Sequence, residues 1–310
     1  MTRPLVGIVT VTYNSASFLD EFVASCAAQQ GPSFKVYCID NDSRDATPGM
    51  LRHIDDPRWV VTLNKTNVGV AEGNNQGILQ ALADGCQWVL LLNNDTTFPA
   101  DFFAQLVRAC DENAWRVVVP KIWFDEPARH IWYGGGGFNP RRAHTGFHTS
   151  IGEADVGQFD QVVTVDYSPT CAMLVRRDVI EAIGLMDETY FVYFDDTDFC
   201  WRLHLAGIPI GYWPKSPLVH KVGGSTGGTT SPFTAHITAR NRLYYLRKHF
   251  GALSAALWTP VFLLYYVGRY VVRSWNPACF KASLKGTFGY KALRPRVPEI
   301  PTALPGNVPR

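Results

Sequence analysis

The residues of this sequence whose types and spacing could do chemistry fall into three groups. Asn93-Asn94-Asp95 closes an uninterrupted apolar run, Trp88 to Leu92, with three oxygen-bearing side chains in a row. Oxygen ligands suit a hard cation such as Mg²⁺ or Mn²⁺, which in turn favours a phosphate-bearing ligand. Asp195-Asp196-Thr197-Asp198 sets three carboxylates in four positions, among Tyr190, Phe191, Tyr193, Phe194, Phe199 and Trp201. One Asp there would be a helix cap, but three exceed what a cap needs. A carboxylate among rings is partly desolvated, which raises its pKa and makes it a better base. His220-Lys221 opens a Gly/Ser/Thr stretch that runs to Ser231, a composition suited to a lid that orders over a ligand. Each group also has a plainer reading: a turn that satisfies backbone amides, a capped helix, and a solvent loop with an incidental histidine.

The elements that must position these groups are legible from periodicity. Leu5 to Asn14 is a β-branched run ending in a polar pair, and Ser17-Phe-Leu-Asp20 resembles a capping box with Phe18, Phe22, Val23 and Cys26 on a helical period. Phe34 to Ile39 is a second strand, ending in Asp40-Asn41-Asp42-Ser43, and Trp59 to Leu63 a third. Trp88 to Leu92 has no alternation, as expected of a strand buried on both faces of a parallel sheet. Successive strands that end in Asp, Asn, Ser or Thr predict one shared rim, where open α/β sheets bind ligands. Asn67-Val-Gly69-Val-Ala-Glu-Gly73-Asn74-Asn75-Gln-Gly77 leads into a helix, and its glycines are expected to let backbone approach a ligand. It is not the dinucleotide GxGxxG fingerprint.

Further on, the pattern predicts a helix over Pro99 to Glu112 and a strand over Arg116 to Pro120. From Lys121 to about Asp160 periodicity is lost, giving a long insertion with Gly134 to Gly137 and three histidines, His130, His144 and His148. These lack metal-ligand spacing and read as surface or substrate-facing groups. Regular structure resumes at Val162 to Val175, then a short helix from Asp178 to Ile183 that Gly184 stops, a helix carrying Phe199, Leu203 and Leu205, a strand over Ile208 to Trp213, and a helix with Arg240-Asn241-Arg242 running toward Phe250. Strands alternating with helices argue a mostly parallel α/β sheet.

Ala252 to Gly268 is uncharged and aromatic-rich, short of the roughly 20 residues of a membrane span. From Arg273 to Arg310 seven basic residues face one acid, Glu299. An apolar helix with a basic flank is the pattern of a peripheral membrane contact. The domain expectation is therefore 1–250 for the chemistry and 251–310 for attachment.

Bulk composition excludes several classes. With 46% apolar and 18% charged residues the 310-residue chain is globular, and a net charge of +2 is too small to suggest nucleic acid. Seven cysteines, an odd number without CxxC or zinc spacing, read as reduced core residues of a cytosolic protein. The N-terminus enters a strand by Leu5 with no secretion signal.

Taken together, Val9-Thr-Val-Thr-Tyr13-Asn14, Asp40-Asn-Asp-Ser43, Asn67 to Gly77, Leu92-Asn-Asn-Asp95, Cys171-Ala-Met-Leu-Val-Arg-Arg177, Asp195-Asp-Thr-Asp198 and His220 resemble glycosyltransferase family two from about Leu5 to Phe250. The Leu-Asn-Asn-Asp form and Arg240-Asn241-Arg242 are most similar to its bacterial rhamnosyltransferase-like branch. The resemblance implies a GT-A fold, Rossmann-like with C-terminal helices. It implies inverting transfer of a sugar, with Mg²⁺ or Mn²⁺, from a dTDP- or UDP-linked donor to a glycan or polyprenyl-linked acceptor, at the inner face of the cell membrane. By the same resemblance the donor-binding set is Thr12, Tyr13, Asn14, Asp40, Asn67, Gly69, Asn74, Asn93, Asn94 and Arg240, with Tyr13 against the nucleobase, Asp40 on its edge, Asn93 facing the ribose and Arg240 on the diphosphate. Asp95 and His220 would hold the metal, Asp196 would be the base, and Asp195, Asp198 and Trp201 would line the acceptor or support the base. Asn93 stands where the family has the first carboxylate of its Asp-x-Asp motif, Asp195 where it usually has Glu, and Pro169-Thr170 precedes Cys171 where a Gly is common.

Three other readings compete. A nucleotide-sugar pyrophosphorylase would carry a Gly-rich loop with Arg and Lys after the first strand, where this chain has Val11-Thr12-Tyr13-Asn14. A processive synthase would need several spans and a Gln-x-x-Arg-Trp motif. A catalytically inactive carbohydrate-binding or scaffold module rests only on the weakened Asn93-Asn94-Asp95 motif.

Overall fold

A computed structural model of the chain describes residues 5–221 and 231–301. The strands are β1 (Leu5–Thr12), β2 (Ser33–Asp40), β3 (Trp59–Leu63), β4 (Trp88–Leu92), β5 (Thr96–Thr97), β6 (Val117–Phe124), β7 (Ile131–Tyr133), β8 (Gly136–Asn139), β9 (Thr145–His148), β10 (Val163–Val165), β11 (Ala172–Arg176) and β12 (Ile210–His220). The helices are α1 (Ala16–Ala27), α2 (Thr47–Arg52), α3 (Val70–Ala83), α4 (Phe102–Asn113), α5 (Arg177–Ile183), α6 (Asp195–Leu205), α7 (Pro232–Tyr266) and α8 (Pro277–Gly289).

One sheet organises them in the order β10-β12-β6-β11-β4-β1-β2-β3, with β5 added to β12 and β7 to β6. Its first half, β3-β2-β1-β4, is all parallel. The second half is mixed, because β11 runs antiparallel to both β4 and β6. β4 is buried along its whole length between β1 and β11, which accounts for its unbroken apolar run.

Local differences from the sequence reading have physical reasons. Helix α1 is preceded by Ser15 rather than opened at Ser17, because Ser15 is itself buried and its carbonyl accepts from the amides of Phe18 and Leu19. The 121–160 insertion is not irregular: it continues β6 and adds β7 and the β8–β9 hairpin. What fastens it is a buried charge, Lys121, paired with Asp155 at 2.9 Å and with Asp160, while Trp123 Nε1 donates to Asp155 at 2.7 Å. All seven cysteines are free and buried.

The C-terminal helices do not simply follow the domain expected to end at 250. Helix α7 runs through that point, broken only at Gly251 (φ 85°, ψ 165°), a left-handed conformation that suits glycine. One apolar cluster takes Tyr244 and Tyr245 from before the break, Ala255, Phe262 and Tyr266 from after it, and Cys279 from α8. The 42-residue helical stretch 232–273 contains an 18-residue window of mean hydropathy 1.5, long and apolar enough to cross a membrane. That holds by length and composition only, and Gly251 separates the uncharged stretch after it from the charged part of the helix before it.

Helix α6 is locked to α7 by charge. Asp198 is fully buried and meets Arg202 at 2.9 Å, Lys248 at 2.6 Å, His249 at 2.7 Å and the Tyr190 hydroxyl at 3.1 Å. Lys248 also reaches Asp187 at 2.8 Å, which accepts from the Tyr244 hydroxyl at 2.7 Å. Burial pushes the Asp198 carboxyl up, but the hydrogen bond from His249 and the charges of Arg202 and Lys248 outweigh it and hold it well below the usual carboxylate range. A depressed carboxylate contributes stability that is present above its unfolded value of about 3.9 and is lost as pH falls through the folded value. Asp198→Asn removes the buried carboxylate that faces Arg202, Lys248 and His249 and is expected to cost about 3–5 kcal/mol in urea melts at pH 7. The gap to wild type should narrow below about pH 4; coincident melts at pH 7 would show that the cluster contributes nothing.

Candidate active site

The rim at the carboxyl ends of β1, β2 and β4 gathers most of the sequence-predicted residues, but several are turned inward. Thr12 Oγ1 donates to Asp40 at 2.9 Å, and Asp40, 1% exposed, also accepts from the Ser43 hydroxyl at 2.6 Å and amide at 3.0 Å. Asn14 bonds the 43–44 turn through its amide (2.8 Å from Ser43 Oγ) and its Oδ1, which accepts from the Arg44 amide at 2.8 Å. Tyr13 stays half-buried between them. Asn94 is buried and donates to the Val11 carbonyl, tying β4 to β1, whereas Asn93 is exposed and its amide is held by the Cys171 carbonyl at 2.9 Å.

Helix α3 serves packing more than ligand approach. A Cβ on Gly69 (φ 89°) would lie 2.5 Å from the Phe191 ring and carbonyl, and one on Gly77 would lie 2.5 Å from Val9. The expected glycine face therefore lets α3 approach Phe191 and β1. Asn67 caps locally, accepting from the Gly69 amide at 2.9 Å. Asn74 is buried with its amide 3.6 Å from Met186 Sδ. Its neighbour Asn75 exchanges two bonds with the Met186 backbone, each 2.9 Å.

Arg240, expected on a diphosphate, instead donates to the Thr189 and Tyr190 carbonyls at 3.0 and 2.9 Å and to Asn241 Oδ1 at 2.9 Å. Asn241 was not singled out on its own. It is fully buried, and its one amide group lies 2.8–2.9 Å from the carbonyls of Tyr190, Val192 and Tyr193. This pair holds the turn that delivers the carboxylates, in which Phe191, Tyr193 and Phe194 all have positive φ.

At the end of that turn the three aspartates separate by exposure. Asp195 is 5% and Asp198 0% exposed, whereas Asp196 is half-buried. Burial, then the charge of Asp196, raises the Asp195 carboxyl above the usual range. Asp196 accepts from the Thr197 amide at 2.6 Å and from the Tyr167 hydroxyl at 2.7 Å. Trp201 packs in a ring cluster with Phe138 (4.9 Å), Phe250 (5.0 Å) and His204 (5.1 Å).

Across the site, β5 pairs with the last residues of β12, His220 opposite Thr96, so that His220 ends a strand rather than opening a loop. The register of β12 against β6 shifts between Trp213 and Leu218, where Pro214 and Pro217 remove backbone donors. His220 Nε2 comes to 3.1 Å from Asp95 Oδ1. Burial lowers the His220 pKa, but the Cys171 sulfur and the Asp95 carboxylate beside it prevail and push it up to about 10. The expected lid over 222–230 lies outside the described residues.

These two residues fit a divalent cation. Among the described residues, buried Asp95 Oδ1 is met by His220 Nε2 at 3.1 Å without hydrogen-bond alignment, and buried His220 Nδ1 has no aligned hydrogen-bond partner. Two ligands about 2.1 Å from one octahedral cation and at right angles stand about 3 Å apart, close to the observed 3.1 Å. Among the described residues no group of three or more His, Cys, Asp or Glu is gathered to hold a metal alone. A cation here would draw its remaining ligands from phosphate and water, the habit of Mg²⁺.

The insertion supplies Trp132, which the sequence does not single out, and His148, one of the three histidines read there as surface or substrate-facing groups. Trp132 of β7 packs edge-on to His220 with ring centroids 4.4 Å apart, and His148 of β9 packs on Trp132 at 4.8 Å. His148 lies 5.9 Å from Tyr167, whose hydroxyl reaches Asp196. Gly146 makes this possible: a Cβ there would sit 2.5 Å from the Tyr167 ring. No spacing signal marks these residues; only the coincidence of histidine, glycine and rings in one insertion hints at them.

Compared with known proteins, residues 7–184, more than half of the chain, match the family model for Glycosyl transferase family 2. The chain is 24% identical over 263 residues to the dTDP-rhamnosyl transferase RfbF of Shigella flexneri, covering 83% of this chain and 84% of that one. It is 26% identical over 284 residues to the N-acetylglucosaminyl-diphospho-decaprenol L-rhamnosyltransferase of Mycobacterium tuberculosis, covering 81% and 88%. Among solved structures it superposes on GalNAc-T7 with UDP, GalNAc and Mn²⁺ at TM-score 0.60 and 14% identity, over 79% of this chain and about half (48%) of that one.

Proposed function

The chain belongs to glycosyl transferase family 2 and is a glycosyltransferase with a GT-A fold; on that premise we propose that it inverts the anomeric centre it transfers and depends on a divalent cation, Mg²⁺ or Mn²⁺. The donor is a dTDP- or UDP-linked sugar, with rhamnose favoured by the names of two relatives that each align over more than four fifths of this chain. The acceptor is a glycan or polyprenyl-linked hydroxyl in bacterial surface-polysaccharide or cell-wall synthesis. The observation that carries this reading is the exposure pattern of 195–198: a base must reach an acceptor oxygen, and of the three carboxylates Asp196 alone is not buried.

In this mechanism Asp95 and His220 would hold the cation, whose chemistry there would be Lewis-acid stabilisation of the charge on the departing diphosphate. Asp196 takes the proton of the acceptor hydroxyl as its oxygen attacks the anomeric carbon on the face opposite the diphosphate. Tyr167 and the Thr197 amide orient the carboxylate and leave a lone pair on it free. Asp195 and Asp198 stay out of contact with the acceptor, Asp198 as the anchor of α6. Tyr13 and the exposed Asn93 remain the donor contacts best supported by exposure. Thr12, Asp40, Asn67, Gly69, Asn74, Asn94 and Arg240 shape that surface from beneath.

The attachment unit from Ala252 onward follows from an apolar stripe. Leu253, Leu257, Val261 and Leu264 recur on one helical face and are 74%, 66%, 49% and 73% exposed. The opposite face buries Ala255, Phe262 and Tyr266. Between 252 and 301 the cations Arg269, Arg273, Lys281, Lys285, Lys291, Arg294 and Arg296 meet one acid, Glu299, which complements an anionic lipid surface. The helix lies on the membrane and does not cross it, because crossing would draw α8 and the exposed Lys281 and Lys285 into hydrocarbon at about 2.5–3.5 kcal/mol each. This arrangement suits an enzyme on the inner face of the cell membrane that works on a lipid-linked acceptor.

Three tests bear on these proposals. Asp95→Ala is expected to abolish the gain in nucleoside-diphosphate affinity that Mn²⁺ brings in calorimetry; equal affinity gains in variant and wild type would remove Asp95 as the ligand. Asp196→Asn keeps shape and removes proton acceptance, so turnover should fall roughly 10²–10⁴-fold with little change in donor affinity. Wild-type turnover in Asp196→Asn alongside a dead Asp195→Asn would move the base by one residue. In flotation, the protein should rise with anionic liposomes, come off in alkaline carbonate, and lose binding in Leu257→Asp; retention through carbonate would instead mean a span.

A further inference from the structure

We propose that His148 contacts the transferred sugar, its imidazole Nε2 accepting a hydrogen bond from a sugar hydroxyl midway between the diphosphate end and the acceptor end of the site. This deepens the glycosyltransferase reading and rests on it. The supporting geometry is a continuous row of side chains. It begins at Asp95 and His220 (3.1 Å), passes through Trp132 (4.4 Å from His220) and His148 (4.8 Å from Trp132), and continues to Tyr167 (5.9 Å from His148), whose hydroxyl is 2.7 Å from Asp196. With the diphosphate at one end and the acceptor oxygen at the other, the sugar that moves between them lies along the middle of the row. His148 is that middle.

The ring is built to present one lone pair there. Its Nδ1 lies 2.9 Å from the Trp132 carbonyl oxygen, which can only accept, so Nδ1 carries the proton. Burial lowers the His148 pKa, more than the Trp132 carbonyl and the charge of Asp196 raise it, so the ring is neutral near pH 7 and Nε2 keeps its lone pair. Among the described residues Nε2 meets no hydrogen-bond partner, and the side chain is only half-buried. Rings flank it on three sides, Trp132, Tyr133 (5.4 Å) and Tyr167, which fixes its orientation and offers apolar faces for the C–H faces of a sugar. Such a fixed, single acceptor discriminates among sugars by the hydroxyl it requires.

The test uses full-length protein with the donor that supports transfer, and compares wild type with His148→Leu and His148→Gln, the latter returning an acceptor oxygen near the place of Nε2. In His148→Leu, kcat/KM for the donor should fall about 10-fold or more, while calorimetric affinity for the bare nucleoside diphosphate with Mn²⁺ is unchanged. Hydrolysis of the donor without acceptor should fall by the same factor, because the contact is to the sugar itself. His148→Gln should recover to within about 3-fold of wild type. Equal loss in Leu and Gln variants would assign the ring a packing role. Loss of transfer with intact donor hydrolysis would move the contact to the acceptor, and unchanged kinetics in both variants would end the proposal. A wild-type protein that transfers no sugar from any donor overturns the underlying reading, and this one with it.

Discussion

The rest of the site depends on one buried amide. Asn241 offers two N–H bonds to the carbonyls of Tyr190, Val192 and Tyr193, in a turn where three non-glycine residues are left-handed. Such conformations cost of order 1–3 kcal/mol each and persist only where surrounding contacts over-determine them. Here the contacts converge from three sides: Asn75 of α3 on Met186, Arg240 and Asn241 of α7 on residues 189–193, and the Asp187–Lys248 pair. The turn decides where α6 begins, and α6 decides which aspartate meets solvent. The position of Asp196, the base proposed above, is therefore a consequence of contacts made by α7.

Within the aspartate triplet, exposure assigns the work. Asp198 is enclosed by two cations, Arg202 and Lys248, with the His249 ring and a tyrosine hydroxyl, so its charge is neutralised where it stands. Asp195 is buried beside Asp196 with its proton affinity raised, and at neutral pH that spares the pair a second negative charge in one place. Asp196 is left with solvent access and three orienting donors, the Tyr167 hydroxyl and the amide and hydroxyl of Thr197. Three identical side chains thus take three roles from their surroundings alone. The same logic applies across the site, where burial sets the Asp95 carboxylate against His220 at 3.1 Å.

The helices beyond Gly251 answer a different demand. Their inner face completes a cluster with Tyr190, Tyr244 and Tyr245, so the segment is continuous with the clamp described above. Their outer face leaves leucines and valines exposed in a stripe with a basic rim. A shared cluster of packed rings thus connects the inner face of these helices to Tyr190, in the turn before Asp195 to Asp198.

Periodicity and strand ends by themselves determined much of this protein. The β-branched runs, the unbroken Trp88–Leu92 strand and the polar residues that end β1, β2 and β4 marked an α/β sheet with one ligand-binding rim, because burial on both faces leaves a signature in consecutive residues. The motif series marked the family for the same reason: its members are close in sequence. What only the tertiary structure decided are the relations between distant segments. That Gly69 makes room for Phe191, that Asn74 and Asn94 bond other parts of the protein, that Arg240 holds a turn, and that His148 packs between Trp132 and Tyr167 all depend on contacts between separate segments of the chain. A side chain's type states what it can bond, and the fold alone states whether a backbone carbonyl or a ligand arrives first.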